Sequence, residues 1–137
     1  KTQMSRVKSG TFFYMKDILN RADIDLLMRT FYNRLLADPA ISYVFTDVAK
    51  IDLEHHLPVI GDFWEQNLLQ SGSYKNNVLK IHRQLHYKEK LTPELFEIWL
   101  SHFSIAIDAN FQGENSEKAK TRALSIATIM KIKMHQN

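Results

Sequence analysis

The sequence predicts an all-α domain, and three observations carry that reading. Apolar residues recur every three or four positions over several long stretches, which is the spacing of a single helix face. Only four Gly and three Pro punctuate 137 residues, too few for a fold built on many tight turns. No stretch reads as a convincing strand, and no internal repeat or low-complexity run is present.

The elements follow in chain order. Residues 1–10 are polar and aperiodic and read as a frayed tail, followed by a short apolar patch at Phe12, Phe13, Tyr14 and Met15. Asp23 is the expected N-cap of the first helix. Behind it Ile24, Leu27, Met28, Phe31, Tyr32 and Leu35 share one face. The helix should stop at Asp38-Pro39, because the residue before a proline is pushed out of the α region. Ala40–Phe45 then reads as a short connector. A second helix is expected over 53–70, with Leu53, His56, Leu57, Ile60, Phe63, Trp64 and Leu68 on one side. Pro58 lacks an N–H, so the regular helix is expected to begin near Leu57, leaving His56 at its mouth. Ser71-Gly72-Ser73 ends it. Residues 74–91 read as irregular, with one short helix around Val78–Leu85. Thr92-Pro93-Glu94 opens the next helix with three agreeing signals: a capping hydroxyl, Pro at the first helical position and an early acid. Its inward stripe is Phe96, Trp99, Phe103, Ala106 and Ile107. Gly113 to Ser116 is a turn with a cap. A last helix runs to about Met134, with Ala119, Ala123, Ile126, Ala127 and Met130 inward.

Composition and charge narrow the function. Cysteine is absent, which removes disulfides, thiolate metal sites and thiol nucleophiles. No apolar run approaches the length of a membrane span, and no signal-peptide pattern opens the chain, so a cytoplasmic protein is the default expectation. A chain that opens on Lys reads as truncated or processed. The net charge of +3 is unevenly spread. Residues 1–22 hold five basic side chains against Asp17 alone, a balance of +4, which leaves −1 for 23–137. The division is therefore a basic, partly flexible N-terminal extension (1–22) and one folded domain (23–137). A near-neutral body argues against nucleic acid, which wants a basic face on the domain itself.

Six histidines stand at 55, 56, 82, 86, 102 and 135. His56 shares the apolar face of its helix, and His82 closes a short apolar turn. A histidine on such a face is more often a boundary residue with a satisfied hydrogen bond than a ligand, and spacing alone leaves both readings open. Tyr32 and Trp99 lie on inward stripes, and their buried O–H and N–H need partners. Those partners are either backbone carbonyls or one bound ligand. Met28, Met130 and Met134 carry thioethers that can ligate iron, but their helical spacing favours packing. There is no HExxH, no paired ExxH of the di-iron kind, no GxGxxG, no P-loop and no nucleophile elbow.

Taken together, ordered motifs from Ile24 to Met130 resemble the group III truncated haemoglobins, small bacterial globins. FYNRLLADPAISYVF (31–45) resembles that family's second helix and the corner after it, and HLPVIGDFWEQNLL (56–69) its distal helix. YKNNVLKIHRQL (74–85) followed by LTPELFEIWLSHF (91–103) resembles the proximal-histidine region and the next long helix. The resemblance implies a truncated globin fold, a helix-on-helix sandwich around a haem pocket. It implies haem b (iron protoporphyrin IX) as cofactor and His82 as iron ligand, with His86 the runner-up. Phe45 matches the corner phenylalanine that packs on the porphyrin, and Tyr32, His56, Ile60 and Trp99 match distal-pocket positions. Leu79 and Leu85 would complete the slot on the proximal side. Asn76 and Val78 stand where the family commonly has Gly and Pro.

What the resemblance implies for function is reversible binding of O2, and of CO, NO or peroxide, in a polar distal pocket. Tyr32, His56 and Trp99 are the candidates to stabilise the ligand and to carry any catalysis, NO dioxygenation or peroxide chemistry, with a reductase as a further partner. His56, next to Pro58, would be placed to gate the pocket. Two other readings stand beside this one. A cofactor-free helical interaction module would have Tyr32 and Trp99 bonded to backbone. A nucleic-acid binder would use the basic leader with Lys118, Lys120, Arg122, Lys131 and Lys133 of the last helix.

Overall fold

The computed structural model describes the backbone of residues 3–8, 11–48, 50–70 and 91–134, and their side chains from Met15 onward except Val48 and Met134. The chain opens on a hairpin, β1 (Gln3–Lys8) paired antiparallel with β2 (Thr11–Met15). No strand was expected there. The pairing is irregular between Met4 and Arg6, and such a break disrupts the two-residue alternation by which a strand announces itself.

Among the described residues, four long helices follow. In α1 (Arg21–Ala37) the buried residues are Ile24, Leu27, Met28, Phe31, Tyr32 and Leu35, the same six that the periodicity selects. The cap differs from expectation. Asn20 is the N-cap, its side chain accepting from the Asp23 amide at 2.9 Å, and Asp23 sits in the first turn. There its carboxylate accepts from the Leu19 amide and pairs with Lys16.

The expected connector after Asp38 is itself helical. Asp38 caps α2 (Pro39–Tyr43), its carboxylate accepting from the Ala40 amide at 3.0 Å. Pro39, useless inside a helix, is well placed in a first turn. A π-helical turn, Val44–Val48, continues directly from α2. Next, α3 (Leu53–Leu69) starts behind Asp52 and runs straight through Pro58. His56 therefore lies inside the helix rather than at its mouth. The strong Asp52 cap, accepting from Glu54, sets the start, and a proline in the second turn removes only one intrahelical bond.

Thr92 caps α4 (Pro93–Asn110), as its Thr-Pro-Glu opening predicts, with the Leu95 amide 3.3 Å from its hydroxyl. The last helix is α5 (Glu114–Met134). Its buried positions include Met130 and Ala119, Ala123 and Ala127, the three alanines small enough for close helix approach. The cap of α5 comes from far away. Asp17 accepts from the amides of Asn115 and Ser116 at 2.7 and 2.8 Å and from the Ser116 hydroxyl at 2.8 Å. Gly113 makes this approach feasible: its φ is +148°, and a Cβ there would stand 2.5 Å from the Asp17 carboxyl carbon. Beside this clasp Ile18 is fully buried.

The architecture is a helix-on-helix sandwich. Helix α1 packs across both α3 and α4, α4 packs on α5, and α2 bridges α1 to α4. The shared core includes Phe31, Leu27, Leu35, Trp64, Phe103 and Ile107.

Candidate functional site

Four of the residues singled out from sequence, Tyr32, Phe45, His56 and Trp99, come together where α1 crosses α3 and α2 meets α4. Tyr32 comes from α1 and is only 5% exposed. Its hydroxyl lies 2.8 Å from Nε2 of His56 on α3. Burial pushes the Tyr32 phenol well above its ordinary value, so it remains neutral and able to donate at any physiological pH. The sense of the bond follows the His56 tautomer: the hydroxyl donates to a bare Nε2, or accepts from Nε2–H.

Aromatic rings link this polar pair to a cavity wall. The Tyr32 ring meets Phe45 edge-on at 5.7 Å and His56 at 5.1 Å. Phe31 lies between Tyr32, at 5.2 Å, and Trp99, at 5.6 Å. Such edge-to-face contacts are favourable beyond the area they bury and fix ring orientation.

The cavity is lined by Ile41 and Val44, Phe45, then Leu91, Leu95, Phe96 and Trp99, and finally Ala127 and Met130. None of these carries a charge. Among the described residues, its sides are α2 with the π-helical turn, the first half of α4, and the last part of α5. The walls enclose about 50 Å³, or about 490 Å³ of atom-free space counted out to solvent on the open side. Pockets for drug-sized ligands run to ~300–1,000 Å³, so a large flat ligand would use the open side. The π-helical turn is what delivers Val44 and Phe45 to this wall. The Phe45 carbonyl is held in turn by the Ile51 amide at 3.0 Å.

Helix α3 is fixed against α1 on both flanks of His56. Arg21 reaches Asp62 at 2.7 Å, Glu65 at 2.8 Å, Asp25 at 2.8 Å and the Pro58 carbonyl at 3.1 Å. Arg29 pairs with Glu54 at 3.0 Å. Gly61 leaves the room that the Arg21 guanidinium fills, since a Cβ there would lie 2.8 Å from its Nη2.

The candidates therefore divide. Phe45 and Trp99 are on the cavity wall, and Tyr32 and His56 are bonded to each other behind it. Ile60 is half-buried against the core and is not among the lining residues. Leu79, His82, Leu85 and His86 lie outside the described residues. Among the lining residues, Ile41, Val44, Leu91, Leu95 and Phe96 were not singled out from sequence as site residues. Met130, whose spacing favours packing over ligation, packs in the core and also lines the cavity.

The other two described histidines go elsewhere. His55 is exposed beside Asp52, and His102 contacts Asp38 at 2.7 Å. Among the described residues no three metal-ligating side chains form a cluster, and no helix is long and apolar enough to cross a membrane. Two lysines of the basic last helix are paired, Lys120 with Asp108 and Lys131 with Glu97.

The residues present suit a haem: an uncharged aromatic and aliphatic wall for a flat apolar plate, and a hydrogen-bonded phenol–imidazole pair beside it. No family model matches the chain. It is 29% identical over 115 residues to a group 3 truncated hemoglobin of Campylobacter jejuni, covering 82% of this chain and 88% of that protein. Its structure is similar to the crystal structure of a group III truncated hemoglobin from Campylobacter jejuni. That match has a TM-score of 0.78 at 28% identity and covers 89% of this chain and 97% of the other.

Proposed function

We propose that this chain, a truncated globin in fold and similar in sequence to the group III truncated haemoglobins, binds haem b and reversibly takes up O2 and other diatomic ligands. The observation that carries this is the apolar cavity walled by Phe45 and Trp99 with the Tyr32–His56 pair set behind it. When bound, haem would supply an iron able to accept a neutral imidazole nitrogen and a small diatomic ligand.

The chain's own residues do the rest. Phe45 and Trp99 offer ring faces and exclude water. In this reading His82 would be the iron ligand, and Leu79 and Leu85 would contribute apolar surface to the same side of the slot. Tyr32, neutral and bonded to His56, can donate to partial negative charge on a ligand when the His56 tautomer leaves its proton free. Its O–H is worth more in a dry pocket than in water. Trp99 can add an indole N–H, and Ile60 bounds the room available. Such donors hold a ligand and also polarise an O–O bond, so we extend the proposal to NO dioxygenation or peroxide chemistry, with a reductase as partner.

The test is a haem titration followed by dithionite and CO. One haem per chain, a sharp Soret band and a shift with CO are the expected result. His82→Ala should abolish stoichiometric binding. Retained binding in that variant would move the ligand role to His86. Free-haem absorbance without saturation in the parent chain would defeat the proposal and favour the cofactor-free module.

A further inference from the structure

One titratable pair outside the distal set joins the two walls of the cavity. Asp38 stands between α1 and α2, and both its carboxylate oxygens are engaged. Oδ1 accepts from the Ala40 amide at 3.0 Å, fixing the start of α2. The Asp38 carbonyl accepts from the Ile41 and Ser42 amides at 3.0 and 2.8 Å. Helix α2 and the turn it feeds carry Ile41, Val44 and Phe45, one side of the cavity. Oδ2 meets Nε2 of His102 at 2.7 Å. His102 stands one turn beyond Trp99 on α4, the helix that supplies Leu95, Phe96 and Trp99 to another side. A single carboxylate thus spans from one wall to the other.

The chemistry of the pair is directional. An ionised carboxylate only accepts, so Nε2 of His102 carries a proton. The carboxyl is held below the ordinary range by the His102 bond first and the Ala40 amide second, with Arg34 adding its charge. His102 is 14% exposed, and its Nδ1 is buried with no hydrogen-bond partner among the described residues. A buried ring nitrogen without a partner is a cost that a Leu or Phe at this position would avoid. What the imidazole adds is the bond to Asp38.

We propose that Asp38 and His102 are positioning residues whose bond sets the spacing of the Phe45 and Trp99 walls, and hence the seat for the flat cofactor. The cofactor part rests on the haem reading; the tie itself does not. Asp38→Asn, His102→Gln and His102→Phe separate the contributions. Asn still caps a helix, so Asp38→Asn keeps α2 while losing the charged acceptor. Gln can offer an N–H near the Nε2 position, and Phe cannot.

The first measurement is made on the haem-free chain. Its His102 ring should show the Nε2–H tautomer by 15N NMR. Amide exchange at Ile41–Phe45 should quicken by about ten-fold in His102→Phe, with α1 amides unchanged and His102→Gln close to the parent. The second uses the haem-loaded chain. Haem transfer to an acceptor protein should speed by about ten-fold in His102→Phe and less in His102→Gln, as loosened pre-organisation predicts. Unchanged exchange in His102→Phe, an Nδ1–H tautomer, or His102→Gln behaving like His102→Phe would each overturn the tie. Altered exchange with unaltered haem transfer would refute its role in seating the cofactor. If the parent chain takes up no haem, the functional proposal falls while the exchange data still decide the tie.

Discussion

Removing the Asp17 carboxylate should unfold the chain at markedly lower denaturant, because one side chain serves four donors. It accepts from the Ile18, Asn115 and Ser116 amides and the Ser116 hydroxyl, all within 2.7–2.8 Å. Loss of an N-cap costs ~0.5–2 kcal/mol. The Ser116 side, 1% exposed, is then left with an orphaned hydroxyl, a further ~1–3 kcal/mol. The two overlap, so Asp17→Ala should cost about 2–4 kcal/mol, or roughly 6–12 °C in Tm at about 3 °C per kcal/mol for a chain of this size. Asp17→Asn keeps a capping oxygen and should lose about half of that. Ser116→Ala removes the orphan, so Asp17→Ala should cost less in that background. Urea unfolding followed by circular dichroism reads the parent and these variants alike. The pH dependence has a definite sign. Burial tends to raise the Asp17 carboxyl, but the donors outweigh it and hold it below its ordinary value. Its contribution is therefore present above the unfolded-state value near 3.8 and fades as pH falls through the folded one. Asp17→Asn should lack that component of the acid limb. An Asp17→Ala cost under about 0.5 kcal/mol, the range of an ordinary surface change, would refute the reasoning, as would Asp17→Asn behaving identically to Asp17→Ala.

Three further outcomes are expected. Tyr32→Phe removes one hydrogen bond of ~0.5–1.5 kcal/mol net, so O2 release measured by stopped flow should quicken roughly 2- to 13-fold; unchanged or slower release would mean that Tyr32 does not donate to the ligand. Gly61→Ala places a Cβ 2.8 Å from an Arg21 guanidinium that four partners hold still, and should cost about 1–2 kcal/mol in urea unfolding. That cost should largely vanish in an Arg21→Ala background, and its persistence would show that the clash lies elsewhere. Gly113→Ala combines a φ of +148° with contact on Asp17 and should cost more than about 1 kcal/mol by the same measurement.

What could be read from the sequence, and what could not, divides by the range of the interaction. The α1 stripe is complete in the sequence because each of its six residues answers to one helix face packed on α3 and α4. Thr92-Pro93 is equally legible, since an N-cap and its N3 amide lie within four residues. Helix α2 escaped because five residues hold too little periodicity, and the π-helical turn because no residue pattern marks it. The start of α3 was misjudged by weighing Pro58 above the Asp52 cap. Asp17 and Asp38 were visible only as a charge in a basic leader and as a helix stop. Their partners stand 98 and 64 residues away, and no local pattern encodes such a contact. The candidate site shows the same division. Tyr32, His56, Phe45 and Trp99 could each be named, but as separate donors and rings. That Tyr32 bonds His56, rather than standing alone before a ligand, is a property of the α1–α3 crossing. This changes the chemistry the site offers. A phenol already paired with an imidazole must either share its hydrogen bond or give it up when a ligand arrives. The His56 tautomer, and not the presence of Tyr32 alone, then decides whether a proton points into the pocket. The comparison of Tyr32→Phe with a His56 variant that keeps the ring's size but not its Nε2 therefore tests the pair as a unit, and non-additive effects on O2 release are the expected outcome.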